Sequence, residues 1–192
     1  MDYSEIVELQ EKWCNSGTDA IRNGAREAVD LCSVSLGAKG IPYGEVAEVG
    51  PQWGFGLERW RQLGVPAFGI DIVPSFIQSC RDKGFECYEC PAEGIDLLDE
   101  LKDAKVNWYL RDTLEHFYDR QGAIENILDR LDKWIYLSVP IEPGPGRDEA
   151  HLGRIKSYDE VHEMLPELTC IHEKYRPPGQ KQGRLEGIWI KD

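Results

Sequence analysis

The chain has 192 residues, 41 % of them apolar and 30 % charged, enough for one domain with a full core and unlike a disordered chain. Its 22 Lys and Arg against 35 Asp and Glu give a formal net charge of −13, which works against nucleic acid and anionic lipid as partners. No apolar run reaches the roughly 18–20 residues that cross a bilayer, and the acidic opening MDYSEIVELQEKW lacks the basic and apolar regions of a signal peptide, so a cytoplasmic protein is expected.

In chain order, Ile6, Leu9 and Trp13 share one face of a first helix from Ser4, which CNSGT breaks. Thr18 caps a second helix, where Ile21, Ala25, Ala28, Val29 and Cys32 keep helical spacing until GAKGIPYG. Strand and helix then alternate. GEVAEVG reads as a strand, and Leu57, Trp60 and Leu63 mark a helix. AFGIDIV is a second strand, and Pro74 opens a helix with Phe76, Ile77 and Cys80 inward. FECYEC is a third strand, GIDLLDELKDA a short helix and VNWYL a fourth strand. TLEHFYDRQGAIENILDRL is largely helical, and KWIYLSVP is a fifth strand apolar enough to be buried on both faces.

Two prolines and two glycines at residues 143–146 predict a loop. Ser157 and Glu160 form a capping-box pattern for a helix over residues 158–165, which Pro166 stops. LTCIHEKY and RLEGIWIKD, joined by RPPGQKQG, predict an antiparallel hairpin. The sum is a three-layer α/β fold: a doubly wound sheet of seven strands, mostly parallel, with a C-terminal antiparallel hairpin. One domain over residues 1–192 is expected, with N-terminal helices at 1–40 and a ligand-binding core at 41–192. Ligands of such sheets bind at the carboxyl ends of the strands. Of the six cysteines, Cys87 and Cys90 have CxxC spacing. A structural zinc site wants a second pair, so all six are read as reduced thiols, mostly on buried faces.

The stretch EVAEVGPQWGFGLERW, residues 45–60, places Gly50, Gly54 and Gly56 between a strand and a helix. It lacks the Lys-Ser/Thr of a phosphate loop, and Arg59 stands where a dinucleotide fingerprint wants its third glycine. What remains is an acid ending the first strand, a spaced glycine series, and an acid ending the second strand: Glu48, Gly50/Gly54/Gly56 and Asp71. This order resembles class I S-adenosylmethionine-dependent methyltransferases. PAEG, LRDTLEHF with its DxLEH run, WIYLSVP and HLGRIKSYDEV continue the resemblance over roughly residues 40–192, and point to the small-molecule O-methyltransferase group. The resemblance implies a Rossmann-like fold and S-adenosyl-L-methionine as cofactor. It assigns the cofactor to Glu48, Gly50, Pro51, Gln52, Gly54, Gly56, Asp71, Ile72, Ala92, Glu93 and Arg111, and implies a small-molecule acceptor. Gln52 departs from it, standing at the middle glycine of the family's ExGxGxG. The chemistry suits the cofactor: its cationic groups match the acids, and an Asp71 carboxylate accepting ribose hydroxyls gains about 1.5–3 kcal/mol per charge-assisted bond.

Methyl transfer to a hydroxyl needs a base, and the four histidines are 116, 151, 162 and 172. His162 and His172 are read as structural or surface residues, leaving His116 and His151 as catalytic candidates. Asp112, Glu115 and His116 are spaced to share one helical face. With His151 they are similar to the Glu-x-x-Glu-His arrangement of ubiquinone-pathway O-methyltransferases and small-RNA 2′-O-methyltransferases, which implies a divalent cation, Mg or Mn. Asp112-x-x-Glu115 also fits a capping box without metal. Arg147 and Arg154 flank His151, either to meet an anionic substrate or to sit in solvent. Trp13 and the N-terminal helices read as a lid or as core. RNA-end methylation and a catalytically silent, cofactor-binding subunit are the competing readings, with a nicotinamide dehydrogenase more distant.

Overall fold

The computed structural model describes residues 5, 7–9, 11–12, 18–143, 151–178 and 182–192. Ile6, Trp13, Cys14, most of the CNSGT break, residues 144–146 of the loop and Arg147 lie outside them. The chain divides into two compact units, Met1–Pro91 and Ala92–Asp192.

In the first unit, α1 (Thr18–Ala38) precedes β1 (Val46–Val49), α2 (Phe55–Gln62), β2 (Ala67–Asp71), α3 (Pro74–Asp82) and β3 (Cys87–Glu89). β1 pairs with β2 and β2 with β3, both in parallel. All four β1 residues are buried, as strands covered on both faces must be. Val29, Cys32 and Leu36 of α1 and Leu57 and Trp60 of α2 are wholly buried. Both α2 and α3 end on the same device: a left-handed glycine (Gly64, φ 74°; Gly84, φ 78°), then an apolar residue whose N–H bonds back into the last turn, Val65 to Trp60 O and Phe85 to Cys80 O. Pro74 occupies the first turn of α3, as its missing N–H favours. Cys87 packs with Leu57, Ile77, Cys80 and Phe85, so the CxxC thiol serves the core.

In the second unit, β4 (Val106–Arg111) and β5 (Leu131–Ile141) are parallel, and β7 (Gly183–Ile190) runs antiparallel to β5 and to β6 (Thr169–Arg176). α4 is Arg120–Asp129 and α5 is Tyr158–Glu163. Two expected helices differ. Residues 94–104 form 3-10 turns, Ala92–Leu97 and Asp99–Leu101, because Leu98 is extended between them. The stretch after β4, expected to be largely helical, is a one-turn 3-10 segment, Leu114–His116, and then α4. Phe117 is extended, and the Asp119 carboxylate accepts the Gly122 N–H at 3.0 Å to start the helix afresh. Half of the expected capping box forms at α5. Ser157 Oγ accepts the Glu160 N–H, while the Glu160 carboxylate takes the N–H of Lys156 rather than that of Ser157.

The seven strands run in the order β3-β2-β1-β4-β5-β7-β6, the mixed α/β sheet expected from the alternation. Among the described residues, no helix is long and apolar enough to cross a membrane.

Candidate active site

The first unit builds its polar centre from the end of β1, the turn after it and the end of β2. Glu48, 4 % exposed, lays its carboxylate over Gly56 in the first turn of α2. A Cβ on Gly56 would fall on Glu48 Oε1 and lie 2.7 Å from Cδ. Between them Gly50 (φ 70°), Gln52 (φ 51°) and Gly54 (φ 75°) are all left-handed, so the backbone reverses within five residues. Gly54 begins α2 without a side-chain cap, leaving the helix N-terminus to backbone groups.

Asp71 ties this turn to β2. Its Oδ1 accepts the N–H groups of Ile72 (2.8 Å) and Val73 (2.9 Å), and Oδ2 that of Gln52 (3.3 Å). Burial pushes the carboxyl up to about 6, although the three N–H groups pull the other way. A carboxylate offers about four lone-pair sites, so three N–H bonds leave room for a further donor. Ile72, Ile21, Val7 and Trp53 pack against the buried pair Val73 and Phe76, and the Trp53 ring meets Phe76 edge-on at 4.8 Å. Trp53 is thus held by Phe76, and its carbonyl by Lys83 Nζ at 2.6 Å. Pro51 Cγ lies 2.8 Å from where Gly69 would carry a Cβ, so Gly69 lets the turn lie flat on β2.

The second unit gathers a different set. Ala92 is buried, and Glu93 Oε1 accepts the N–H groups of Tyr118 (2.6 Å) and Asp119 (3.3 Å). Arg111 lies 3.5 Å from the Asp112 carboxylate. Asp112 is left-handed (φ 52°), and its Oδ1 meets Arg184 Nη1 at 2.6 Å; the same nitrogen donates to Ser138 Oγ. The expected shared helical face of Asp112, Glu115 and His116 is therefore absent: a left-handed residue cannot begin that helix, and Arg184 takes the carboxylate.

Glu115, His116 and His151 do converge, with one ligand atom of each within 4.8 Å of the others. The two imidazoles stand edge to face at 5.0 Å. His151 Nδ1 lies 2.8 Å from Glu142 Oε2, and Gln182 Nε2 donates to the other Glu142 oxygen at 2.5 Å. Glu115 is 2 % exposed, and its Oε2 makes no hydrogen bond among the described residues. Burial first, then the Asp112 charge, hold its carboxyl well above the usual range. Glu142 and Arg184 carried no sequence signal, because strand register rather than local spacing brings β7 to the end of β5. His162 pairs with Glu173 at 2.8 Å, and its ring stands against that of Trp189.

Residues 151–156 are fastened across the Leu114–His116 turn. Gly153 N–H donates to Glu115 O, and Arg120 Nη1 to the carbonyls of Gly153 and Arg154. Beside this strap is a cavity of about 590 Å³ lined by His151, Arg154 and Lys156 among others.

No protein-family model matches the sequence, and no curated protein matches it. Solved structures do. A plantazolicin methyltransferase, BamL, in complex with a desmethyl-plantazolicin analogue and S-adenosylhomocysteine (SAH), is 13 % identical, with TM-score 0.72 over 96 % of this chain and 90 % of its own. An S-adenosylmethionine-dependent methyltransferase from Clostridium acetobutylicum is 8 % identical, with TM-score 0.72 over 95 % and 98 %. The magnesium protoporphyrin IX methyltransferase of Synechocystis PCC 6803 with bound S-adenosylmethionine (SAM) is 15 % identical, with TM-score 0.65 over 90 % and 82 %. At these identities the matches establish the shared fold.

Proposed function

We propose that the chain is a SAM-dependent methyltransferase acting on an oxygen of a small molecule. The observation that carries this reading is the unit made by Glu48, the left-handed turn at Gly50, Gln52 and Gly54, and Asp71 on adjacent parallel strands. Buried Glu48 and Asp71 favour a cationic ligand that brings hydroxyl donors, and the turn has no lysine for a phosphate. The likeness to structures determined with SAM or SAH bound supports the same cofactor.

Bound there, SAM supplies a methyl group on a sulfonium, an electrophile that needs no further activation. The chain has then to orient the acceptor and receive its proton. His151 suits that task. Glu142 beside Nδ1 fixes that nitrogen as the N–H donor and leaves Nε2 as the basic one. Nε2 would be the atom to receive the proton of the acceptor hydroxyl.

Alternatively, Glu115, His116 and His151 fit a divalent cation, which would take His151 Nε2 in place of a proton. Their ligand atoms are within 4.8 Å, and a cation would satisfy the buried Glu115 Oε2. Such a cation, with imidazole ligands favouring Mn²⁺ over Mg²⁺, would polarise an acceptor oxygen. Asp112, paired with Arg184, stands as the carboxylate that holds β7 at this site.

A tritium-transfer assay with phenolic and hydroxy-acid acceptors, with and without Mn²⁺, tests the reading. Transfer is expected to small acceptors and not to short RNA, falling about 10²–10⁴-fold in His151→Ala. Manganese dependence lost in Glu115→Gln would support the metal. SAH binding without transfer to any acceptor would favour a silent cofactor-binding subunit instead.

A further inference from the structure

The cavity beside the 151–156 strap has a charge balance unlike the rest of the chain. Four charged side chains line it: Arg120, Arg154, Lys156 and Glu160. Arg120 and Glu160 are spent on each other. Arg120 Nη2 pairs with the Glu160 carboxylate and Nη1 holds two strap carbonyls, while the Glu160 carboxylate also accepts the Lys156 N–H and the Glu160 N–H donates to Ser157 Oγ at the start of α5. The Arg154 guanidinium and the Lys156 ammonium have no hydrogen-bond or ion-pair partner among the described residues, and Arg154 Nε is buried without an acceptor. Two cations without a partner among the described residues therefore line one cavity in a chain whose net charge is −13.

The strap that carries them is built, not loose. Ile155 between them is wholly buried, and its carbonyl accepts the Glu142 N–H at 2.7 Å. A Cβ at Gly153 would lie 2.6 Å from Phe117 O, so the strap sits flush on the turn that carries Glu115 and His116. A buried N–H without an acceptor costs desolvation until an acceptor arrives, and a guanidinium beside an ammonium matches an oxyanion. His151 lines the same cavity. A volume of about 590 Å³ is that of a small-molecule site.

We propose that the methyl acceptor is a small organic acid, held by a carboxylate or phosphate group between Arg154 and Lys156 with its accepting hydroxyl toward His151. This rests on the methyltransferase reading for the identity of the reaction, but binding of the anion does not depend on it.

The test reads arginine Nε–H signals in ¹⁵N–¹H NMR spectra, with the Arg154 signal assigned by its loss in Arg154→Gln. Inorganic phosphate and benzoate are titrated separately, and SAH binding is measured on the same samples by calorimetry. A saturable shift of the Arg154 signal with at least one probe, weakened about tenfold in Lys156→Gln, is the expected result, the loss typical of one charge-assisted bond. Whichever probe binds identifies the group. An Arg154 signal that neither probe moves, or a titration unchanged in Lys156→Gln, overturns the proposal. Arg154→Gln and Lys156→Gln should bind SAH as the wild type does. Wild-type chain that binds an anion but no SAH would sink the methyltransferase reading and leave the anion site standing.

Discussion

At Asp71 two demands on one carboxyl conflict. Burial raises it to about 6, so in the absence of ligand the folded chain holds that proton more tightly than the unfolded chain. The stability from this group is fully present below the ordinary carboxylate value, near 4, and is lost as pH rises through about 6. Asp71→Asn keeps the shape and an oxygen acceptor for the N–H groups of Ile72 and Val73, gives up the longer 3.3 Å bond from the Gln52 N–H and removes the buried charge. It should therefore stabilise the free protein at pH 7 by about 1–3 kcal/mol in urea denaturation, with the gain shrinking toward pH 4. A variant less stable at pH 7 would contradict this. Hydroxyl donors favour the ionised form, so wild-type affinity for SAH should fall below about pH 6, by at most about tenfold per pH unit.

The element that organises the first unit is the strand–turn–helix over β1 and α2, and Gly56 is its tightest point. Gly56→Ala drives a methyl group into the buried Glu48 carboxylate and should cost about 1–3 kcal/mol. Gly64, equally glycine but with open space at its Cβ position, should cost about 1–2 kcal/mol for its left-handed φ alone, without disturbing cofactor affinity. Urea midpoints and SAH calorimetry on both variants check this, and a Gly56→Ala chain with unchanged affinity would remove Glu48 from the site. These elements were legible because strands β1 to β5 are short apolar runs between helical periods. The shared helical face expected of Asp112, Glu115 and His116 fails for a physical reason. Leu114, Phe117, Ile124 and Ile127 keep helix-like spacing and are buried, yet the left-handed Asp112 and the Asp119 cap break the chain into a turn and a helix. Glu48, the glycines and Asp71 lie close along the chain and could be read from it. Arg184 and Glu142 reach their partners through tertiary contacts across 72 and 9 residues, which no local pattern announces.

At the scale of the molecule, the acid-rich composition and the two polar centres divide the work. The first unit offers buried carboxylates, and the second an imidazole–carboxylate set beside Arg154 and Lys156, whose charges have no partner among the described residues. The overall charge argued against nucleic acid from the sequence alone, but the local cationic cavity was invisible to it, because Arg154 and Lys156 become distinctive only once Arg120 is seen to be consumed by Glu160. In the function proposed above, the glycine turn and Asp71 hold SAM. Isothermal titration calorimetry of the whole chain with SAM and SAH, repeated on Asp71→Ala, tests it most directly. Micromolar binding of both to the wild type is expected, with a loss of at least about tenfold in the variant, the worth of a charge-assisted hydrogen bond. No binding to the wild type, or equal binding to Asp71→Ala, would contradict it.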